Sequence, residues 1–159
     1  MNLLLAIILL AALVGDVESA VKCQPTKPDA LGPFYKPDAP VLNVLGSGYV
    51  LTGTVRSSAD CGIIPEVRIE VWQAGPDGKY ADAYRATVVT DTSGQYRLQT
   101  DRPPGYSFRP PHIHIRVAAS GYKTLITQHY PEEEASQAVF DLILVPAQGA
   151  GQQSAQTSQ

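Results

Sequence analysis

The sequence predicts an all-β fold, an antiparallel β-sandwich of about seven strands of the immunoglobulin or prealbumin kind. Short runs rich in Val, Ile, Thr and Tyr recur from residue 49 onwards, and turn residues separate them at regular spacing. The helical signal is weak and is confined to a turn around Glu132–Gln137. A chain that repeats short strands between turns favours two packed sheets over any helical architecture.

Length, composition and charge exclude several classes of protein. The chain has 159 residues, about the size of one domain, with 44% hydrophobic and 17% charged residues. Such a mixture can bury a core, which excludes a wholly disordered or fibrous chain. The 12 basic and 15 acidic residues give a net charge of −3. We therefore expect no nucleic-acid partner, because no basic surplus exists to neutralise phosphates.

Residues 1–19 are interpreted as a signal peptide. Leu3–Val14 is an unbroken apolar run, shorter than the roughly 20 residues of a membrane span and suited to a signal-peptide core. Cleavage after Ser19 would put Val17 and Ser19 at the two recognised positions. The sequence thus predicts a secreted or periplasmic protein that is free of the membrane after cleavage, with a retained N-terminal anchor as the alternative.

An extended arm is predicted over residues 20–47, which are rich in Pro, Gly and Asp. Prolines at this density are incompatible with helix interiors and central strands. The arm contains Cys23, and the other cysteine of the chain is Cys61. In an exported protein such a pair first indicates a disulfide. Two unpaired buried thiols are the alternative.

The β-sandwich itself is expected over residues 48–146. In Val50–Arg56 and Val67–Trp72 apolar residues alternate with others, which is the period of a strand with one buried face. We therefore interpret Trp72 as a core residue and not as a site residue. The remaining predicted strands are Ala86–Asp91, Tyr96–Thr100, His112–Ala118, Lys123–His129 and Val139–Val145. Residues 147–159 contain Gln, Ser, Ala and Gly with no large apolar side chain, so we expect a disordered tail.

The sharpest chemical feature is the pair His112 and His114 on one predicted strand. Side chains at positions i and i+2 point to the same face, with Cα atoms about 6–7 Å apart. The two imidazoles could therefore converge on one metal ion, or they could form a hydrogen-bonded pair on a polar sheet face. His129 is a possible third imidazole, which would suit a copper site.

Phenols are the other candidate ligands, because the chain has eight tyrosines against three phenylalanines. Tyrosine is a poor ligand for Zn²⁺ near neutral pH, since its reference pKa is about 10. A hard trivalent cation favours the phenolate and offsets that cost. A site that combines His and Tyr would therefore suggest Fe³⁺ rather than Zn²⁺.

A series of motifs runs in one order through most of the chain after residue 20. The motifs are Gly32-Pro33-Phe34-Tyr35, Ile69-Glu70-Val71-Trp72-Gln73-Ala74, Asp77-Gly78-Lys79-Tyr80, Thr90-Asp91-Thr92-Ser93-Gly94-Gln95-Tyr96-Arg97, Pro104-Gly105-Tyr106, Arg109-Pro110-Pro111-His112-Ile113-His114 and Leu125-Ile126-Thr127-Gln128. Taken together they resemble the intradiol ring-cleavage dioxygenases, which include the catechol, protocatechuate and hydroxyquinol dioxygenases.

The resemblance implies a non-haem Fe(III) ion held by Tyr80, Tyr106, His112 and His114. It further implies that Tyr80 is retained as a ligand, whereas Tyr106 dissociates when substrate binds. Arg109 would lie over the substrate and stabilise developing negative charge, because a guanidinium stays charged and offers several fixed donors. Gln128 would help to position the reacting complex, and Tyr35 is expected at the pocket wall.

The implied reaction inserts O₂ into the ring of a small catechol-type diol and yields a cis,cis-muconate-type acid. The ferric ion would offset the cost of deprotonating the diol. Large bacterial members of the family have longer inserts between the two ligand tyrosines and before the Arg-Pro motif, whereas only Ser107 and Phe108 separate Tyr106 from Arg109 here. Compared with those members, we therefore expect a shallow, open pocket. Two other interpretations stand beside this one: a non-catalytic transthyretin-like or regulatory-type sandwich that binds a partner, and an exported copper-binding sandwich.

Overall fold

The computed structural model describes residues 23–147, in which eight strands form two four-stranded sheets. The strands are β1 Tyr49–Ser57, β2 Arg68–Gln73, β3 Arg85–Val89, β4 Gln95–Thr100, β5 Ile113–Ala118, β6 Leu125–His129, β7 Gln137–Val139 and β8 Leu142–Leu144. One short 3₁₀ turn, Asp82–Tyr84, precedes β3. The signal peptide predicted over 1–19 lies outside the described residues, as does the predicted tail beyond residue 147.

Two sheets pack face to face around a single core, which confirms the predicted sandwich. One sheet has the order β4-β1-β7, with β8 also paired to β1, and the other has the order β3-β2-β5-β6. Every second side chain of β1 is buried, including Leu51 and Val55. Ile69 of β2 and Ile115 of β5 belong to the same core. Burial of each such side chain contributes about 1.5–3 kcal/mol to stability.

Two expectations about the last strands are wrong. The single strand predicted over Val139–Val145 is two strands, because the chain turns away at Phe140, whose amide bonds Thr52 and whose carbonyl accepts the Tyr96 hydroxyl. Both β7 and β8 pair with β1 in parallel, so the sandwich is not wholly antiparallel. Alternation of apolar residues reports which face is buried, not the direction of the neighbouring strand.

The weak helical candidate over residues 132–137 is a turn that leads into β7. Glu134 adopts a φ of +64° there, a left-handed conformation that a right-handed helix cannot continue through. Among residues 23–147 the structure has no helix long and apolar enough to span a membrane.

The segment from residue 23 to residue 48 forms no strand and contacts both sheets in turn. The amide of Asp29 bonds a carbonyl of β6, that of Leu42 bonds β3 and that of Leu45 bonds β4. The disulfide predicted between Cys23 and Cys61 is confirmed, with 5.2 Å between the Cα atoms. It ties the start of this segment to the loop after β1.

Candidate metal centre

The candidate centre is built on the outer face of the β3-β2-β5-β6 sheet. Trp72 of β2 and Gln128 of β6 lie directly opposite His114 of β5 in the sheet register. Residues paired in this way present their side chains to the same face. The alternate residues Ile113 and Ile115 point into the core and are fully buried. Sheet register therefore places an imidazole between an indole and a carboxamide.

Tyr80 reaches this face from the loop after β2. The amide of Gly75 bonds the carbonyl of Lys79, and Gly78 adopts a φ of +76°, so the chain reverses within a few residues. The Tyr80 Oη atom then lies 3.1 Å from His112 Nε2 and 3.2 Å from His114 Nε2. The predicted histidine pair thus converges on a phenol oxygen.

Tyr106 and Arg109 enter together on a hairpin turn. Their backbones exchange two hydrogen bonds of 3.1 and 2.9 Å, and Ser107 between them has a φ of +52°. The Tyr106 Oη atom lies 3.4 Å from the Tyr80 Oη atom. The structure therefore brings all four predicted ligands, Tyr80, Tyr106, His112 and His114, into one cluster.

The donor set fits a single hard metal ion. Bonds of about 2 Å to one ion leave neighbouring donor atoms about 3 Å apart, close to the separations around Tyr80 Oη. No group of three His, Cys, Asp or Glu side chains within residues 23–147 is placed to hold a metal. The phenol oxygens of Tyr80 and Tyr106 are the further donors beside His112 and His114, and such mixed nitrogen and oxygen ligation suits Fe³⁺.

The two histidines are in the state that binds metals. His112 Nδ1 lies 2.8 Å from the Pro110 carbonyl oxygen, so Nδ1 carries the hydrogen and Nε2 keeps its lone pair towards Tyr80. Burial lowers the pKa of His112. Burial, and then the neighbouring His112, lower the pKa of His114 to about 4. Both rings are therefore neutral at pH 7.

The Tyr80 phenol is neutral as well when no cation is present. Burial, followed by its hydrogen bond with Tyr106, raises its pKa above the ordinary value for tyrosine. A trivalent ion between these groups would act in the opposite direction, because it favours the charged phenolate.

Arg109 and Gln128, predicted as site residues, contact each other beside the cluster. Arg109 Nη2 donates to Gln128 Oε1 at 2.5 Å, and Gln128 Nε2 donates to the Ala30 carbonyl at 2.7 Å. The Tyr130 hydroxyl lies 3.0 Å from Gln128 Oε1 and 2.9 Å from Asp29 Oδ2. The carboxamide is thus held with its oxygen towards the guanidinium.

Two other candidates lie elsewhere. Tyr35 stands behind the cluster, where its hydroxyl donates to Glu70 and its ring packs 5.1 Å from that of Trp72. His129 points to the interior, and its Nε2 lies 2.7 Å from the Tyr49 hydroxyl. The three-histidine copper site is therefore wrong, because alternate residues of β6 face opposite sides of the sheet.

Sequence reasoning missed several neighbours of the cluster. Phe34 stacks on Tyr80 with 4.3 Å between ring centres, and Asp29 accepts from the Tyr130 hydroxyl beside Gln128. Trp72, interpreted as a core residue, is buried but also stacks on His114. The motif Gly32-Pro33-Phe34-Tyr35 was a signal for the first contact. The others join residues far apart in the chain and have no local signature.

Comparisons with known proteins bear on the family of the chain. No protein-family model matches the chain. The chlorocatechol 1,2-dioxygenase of Cupriavidus pinatubonensis is 33% identical over 64% of this chain and 52% of its own length. That of Pseudomonas sp. strain P51 is 30% identical over 79% of this chain and 64% of its own length. The chain belongs to the intradiol ring-cleavage dioxygenase family.

A solved structure supports the family assignment. The dioxygenase domain of a dioxygenase and carbohydrate-binding protein fusion from Streptomyces sp. SirexAA-E has 28% identity and a TM-score of 0.68, covering 78% of this chain and 100% of that one. The family predicted from the motifs is thus confirmed. The chain spans about half the length of the first curated relatives it matches, 52% for the Cupriavidus enzyme.

Proposed function

We propose that the protein is an exported Fe(III)-dependent intradiol dioxygenase that converts a small catechol-type diol and O₂ into a cis,cis-muconate-type acid. The observation that carries the proposal is the position of Tyr80 Oη, within 3.4 Å of two imidazole nitrogens and a second phenol oxygen. The relatives named as chlorocatechol dioxygenases support the substrate class.

The ion would be held by Tyr80, Tyr106, His112 and His114. When bound, it supplies the Lewis acidity that lets the diol ionise and the redox chemistry that couples the diol to O₂. The protein's own part is to hold these four donors, to accept substrate protons and to stabilise negative charge.

Tyr106 is the group suited to accept a substrate proton. It lies on a hairpin turn whose Phe108 is 90% exposed, so little packing opposes movement of this loop. If the incoming diol displaced Tyr106 from the ion, the Tyr106 Oη atom would accept one of the two hydroxyl protons. The neighbouring phenol, Tyr80, is held by stacking on Phe34, which suits a ligand that stays in place.

Arg109 is suited to stabilise the charge that develops on the diol oxygens. Gln128 fixes one end of the guanidinium, and Arg109 Nε is buried without a hydrogen-bond partner among the described residues. A buried, always-charged donor beside the cluster gives electrostatic stabilisation that needs no reorganisation during the reaction.

Export is part of the proposal and rests on two observations. The apolar run Leu3–Val14 has the length of a signal-peptide core. The Cys23–Cys61 disulfide is typical of proteins that fold in an oxidising compartment. Expression of the full chain in a secreting host, followed by sequencing of the N-terminus of the released protein, tests this part. Release of a protein that begins near Ala20 is expected, and an intact N-terminus retained in the membrane would contradict export.

The catalytic part is tested with purified protein loaded with ferric iron. We expect a burgundy protein, from phenolate-to-iron charge transfer, that consumes O₂ with catechols and releases a ring-opened acid identified by mass. A colourless protein with iron present would contradict the ligand assignment and favour a non-catalytic sandwich. Copper binding with no phenolate band would favour a copper protein.

A further inference from the structure

The two histidines of the cluster are held by different means. His112 Nδ1 bonds the Pro110 carbonyl. His114 Nδ1 is buried and lacks a hydrogen bond of ordinary geometry among the described residues, although the Ala30 backbone interacts with this imidazole as an acceptor. Histidines that ligate metals almost always bond through their second ring nitrogen, which fixes the plane of the ring. Contacts other than a hydrogen bond of ordinary geometry therefore contribute to the orientation of His114.

Two contacts surround its ring. The indole of Trp72 is parallel to the imidazole, with 5° between the planes and 4.9 Å between the ring centres. Gly32 approaches the ring so closely that a Cβ atom there would lie 2.9 Å from His114 Cε1. The indole restricts one face of the ring and the glycine backbone restricts its Cε1 edge.

Neighbouring residues hold the Trp72 indole in place. Trp72 is 2% exposed, and its other neighbour, Tyr35, is tied by its hydroxyl to Glu70, which also forms an ion pair with Arg116. The Trp72 Nε1 donor has no partner within residues 23–147. A buried donor left unbonded is destabilising, so the contacts of the ring face, and not a hydrogen bond of the N–H, account for an indole at this position.

The segment that carries Gly32 is held on both sides. The Ala30 carbonyl accepts from Gln128, and Phe34 stacks on Tyr80. Gly32 itself has a φ of +73°, a conformation that favours glycine. The segment therefore cannot retreat from His114 without disturbing Gln128 or Tyr80.

We propose that Trp72 and Gly32 are the positioning residues of His114, and that stacking and close backbone contact replace the usual hydrogen bond to Nδ1. The inference rests on the proposed function in one respect, because the direction of the His114 Nε2 lone pair affects the affinity for a bound metal. Disturbing the partners of a metal-ligating histidine lowers metal affinity by about 10- to 100-fold. We expect that range here.

The chain offers a matched pair of glycine substitutions. Gly121 has a φ of +80°, but nothing lies within 4 Å of a Cβ atom built there. Gly32→Ala and Gly121→Ala therefore share the backbone penalty, and only Gly32→Ala pushes against His114. In ferric protein we expect Gly32→Ala to lower iron affinity by about 10- to 100-fold and to move the charge-transfer band, with Gly121→Ala unchanged. Equal behaviour of the two variants would overturn the inference.

A second experiment needs no metal and separates the two proposals. In the metal-free protein, the Trp72 ring current should shield the ring protons of His114 in an NMR spectrum. We expect Trp72→Leu to move the His114 ring signals downfield while those of His112 stay in place, and Trp72→Phe to give a partial shift. Unmoved His114 signals in folded Trp72→Leu would overturn the role of Trp72.

The two proposals fail in different ways. If wild-type protein binds no ferric iron, the proposed function fails, and the NMR shifts of metal-free wild-type, Trp72→Leu and Gly32→Ala protein still decide whether these residues orient His114. If wild-type protein is burgundy and active but the variants at residues 32 and 72 match it in iron affinity and spectrum, only the positioning inference fails.

Discussion

The candidate centre has a half that belongs to the sheet and a half that belongs to loops. The register of β5 places His114, whose ring stacks on Trp72. His112 directly precedes that strand, and its Nδ1 bonds the Pro110 carbonyl. Tyr80 and Tyr106 arrive on loops, and only Tyr80 is stacked against another ring in parallel. Under the proposed function, the sheet would supply permanent ligands, whereas the hairpin at Tyr106 would supply one that can leave.

The largest effect should come from removing a ligand of the sheet half. His114→Ala is expected to abolish iron binding and ring cleavage, because it removes one of the four proposed ligands. No group of three His, Cys, Asp or Glu side chains within residues 23–147 is placed to hold the metal instead. Iron content by metal analysis and O₂ uptake measure both effects. His129→Gln is the control, since that imidazole faces the core and bonds Tyr49. Full iron and activity in His114→Ala would show that the ligand assignment is wrong.

The variants Tyr80→Phe and Tyr106→Phe test whether the two loop ligands differ in their contribution to iron binding. Both should abolish or severely reduce activity, because each removes a phenolate. Tyr80→Phe should also lose the larger share of its iron, since it removes the ligand that stays in place. Iron content and the intensity of the charge-transfer band test this, with Tyr122→Phe as a control for a phenol outside the cluster. Equal iron loss in the two variants would contradict the distinction between a ligand that stays in place, Tyr80, and one that can leave, Tyr106.

Arg109 should matter for rate and not for metal binding. Arg109→Ala is expected to keep iron and colour but to lower kcat by about 10²–10³, the range for loss of one stabilising donor. Steady-state kinetics and metal analysis measure the two quantities on one sample. Arg97→Ala, on β4 of the other sheet, should change neither. Loss of iron together with activity in Arg109→Ala would contradict its assigned role.

The smallest effect concerns His129, which contrasts with the histidines of the cluster because it contacts only core residues. Burial lowers its pKa to about 4, against an ordinary value of 6.5. The unfolded chain therefore takes up a proton at a higher pH than the folded protein does. The free energy of unfolding should fall as pH drops from 6.5 towards 4, by up to roughly 3 kcal/mol.

Denaturant unfolding of metal-free protein at several pH values measures this loss. In His129→Gln the slope between pH 6.5 and 4 should be shallower, because this side chain no longer binds a proton. An unchanged slope would show that His129 contributes nothing to acid unfolding.

Local sequence patterns predict part of this structure, whereas the rest depends on contacts between segments far apart in the chain. The alternation in Val50–Arg56 predicts β1 well, because side-chain period reports burial directly. It carries no information about partner direction, so the parallel pairing of β7 and β8 was missed. For the site, the spacing of His112 and His114 predicts their convergence.

The tyrosine ligands could be assigned only through the resemblance to a family, since no local pattern links residues 80 and 106 to the histidines. Trp72 was interpreted as core because its strand alternates like a buried one, and it is indeed buried. Its contact with His114 depends on the pairing of β2 with β5. That pairing joins segments about forty residues apart and has no signature in either segment.

A crystal structure of the ferric protein, with anomalous scattering recorded at the iron edge, tests the ligand cluster most directly. We expect one anomalous peak within bonding distance of His112 Nε2, His114 Nε2 and the Oη atoms of Tyr80 and Tyr106. A peak elsewhere, or the Oη atom of Tyr80 turned away from both imidazoles, would contradict a ferric centre at this face of the sheet.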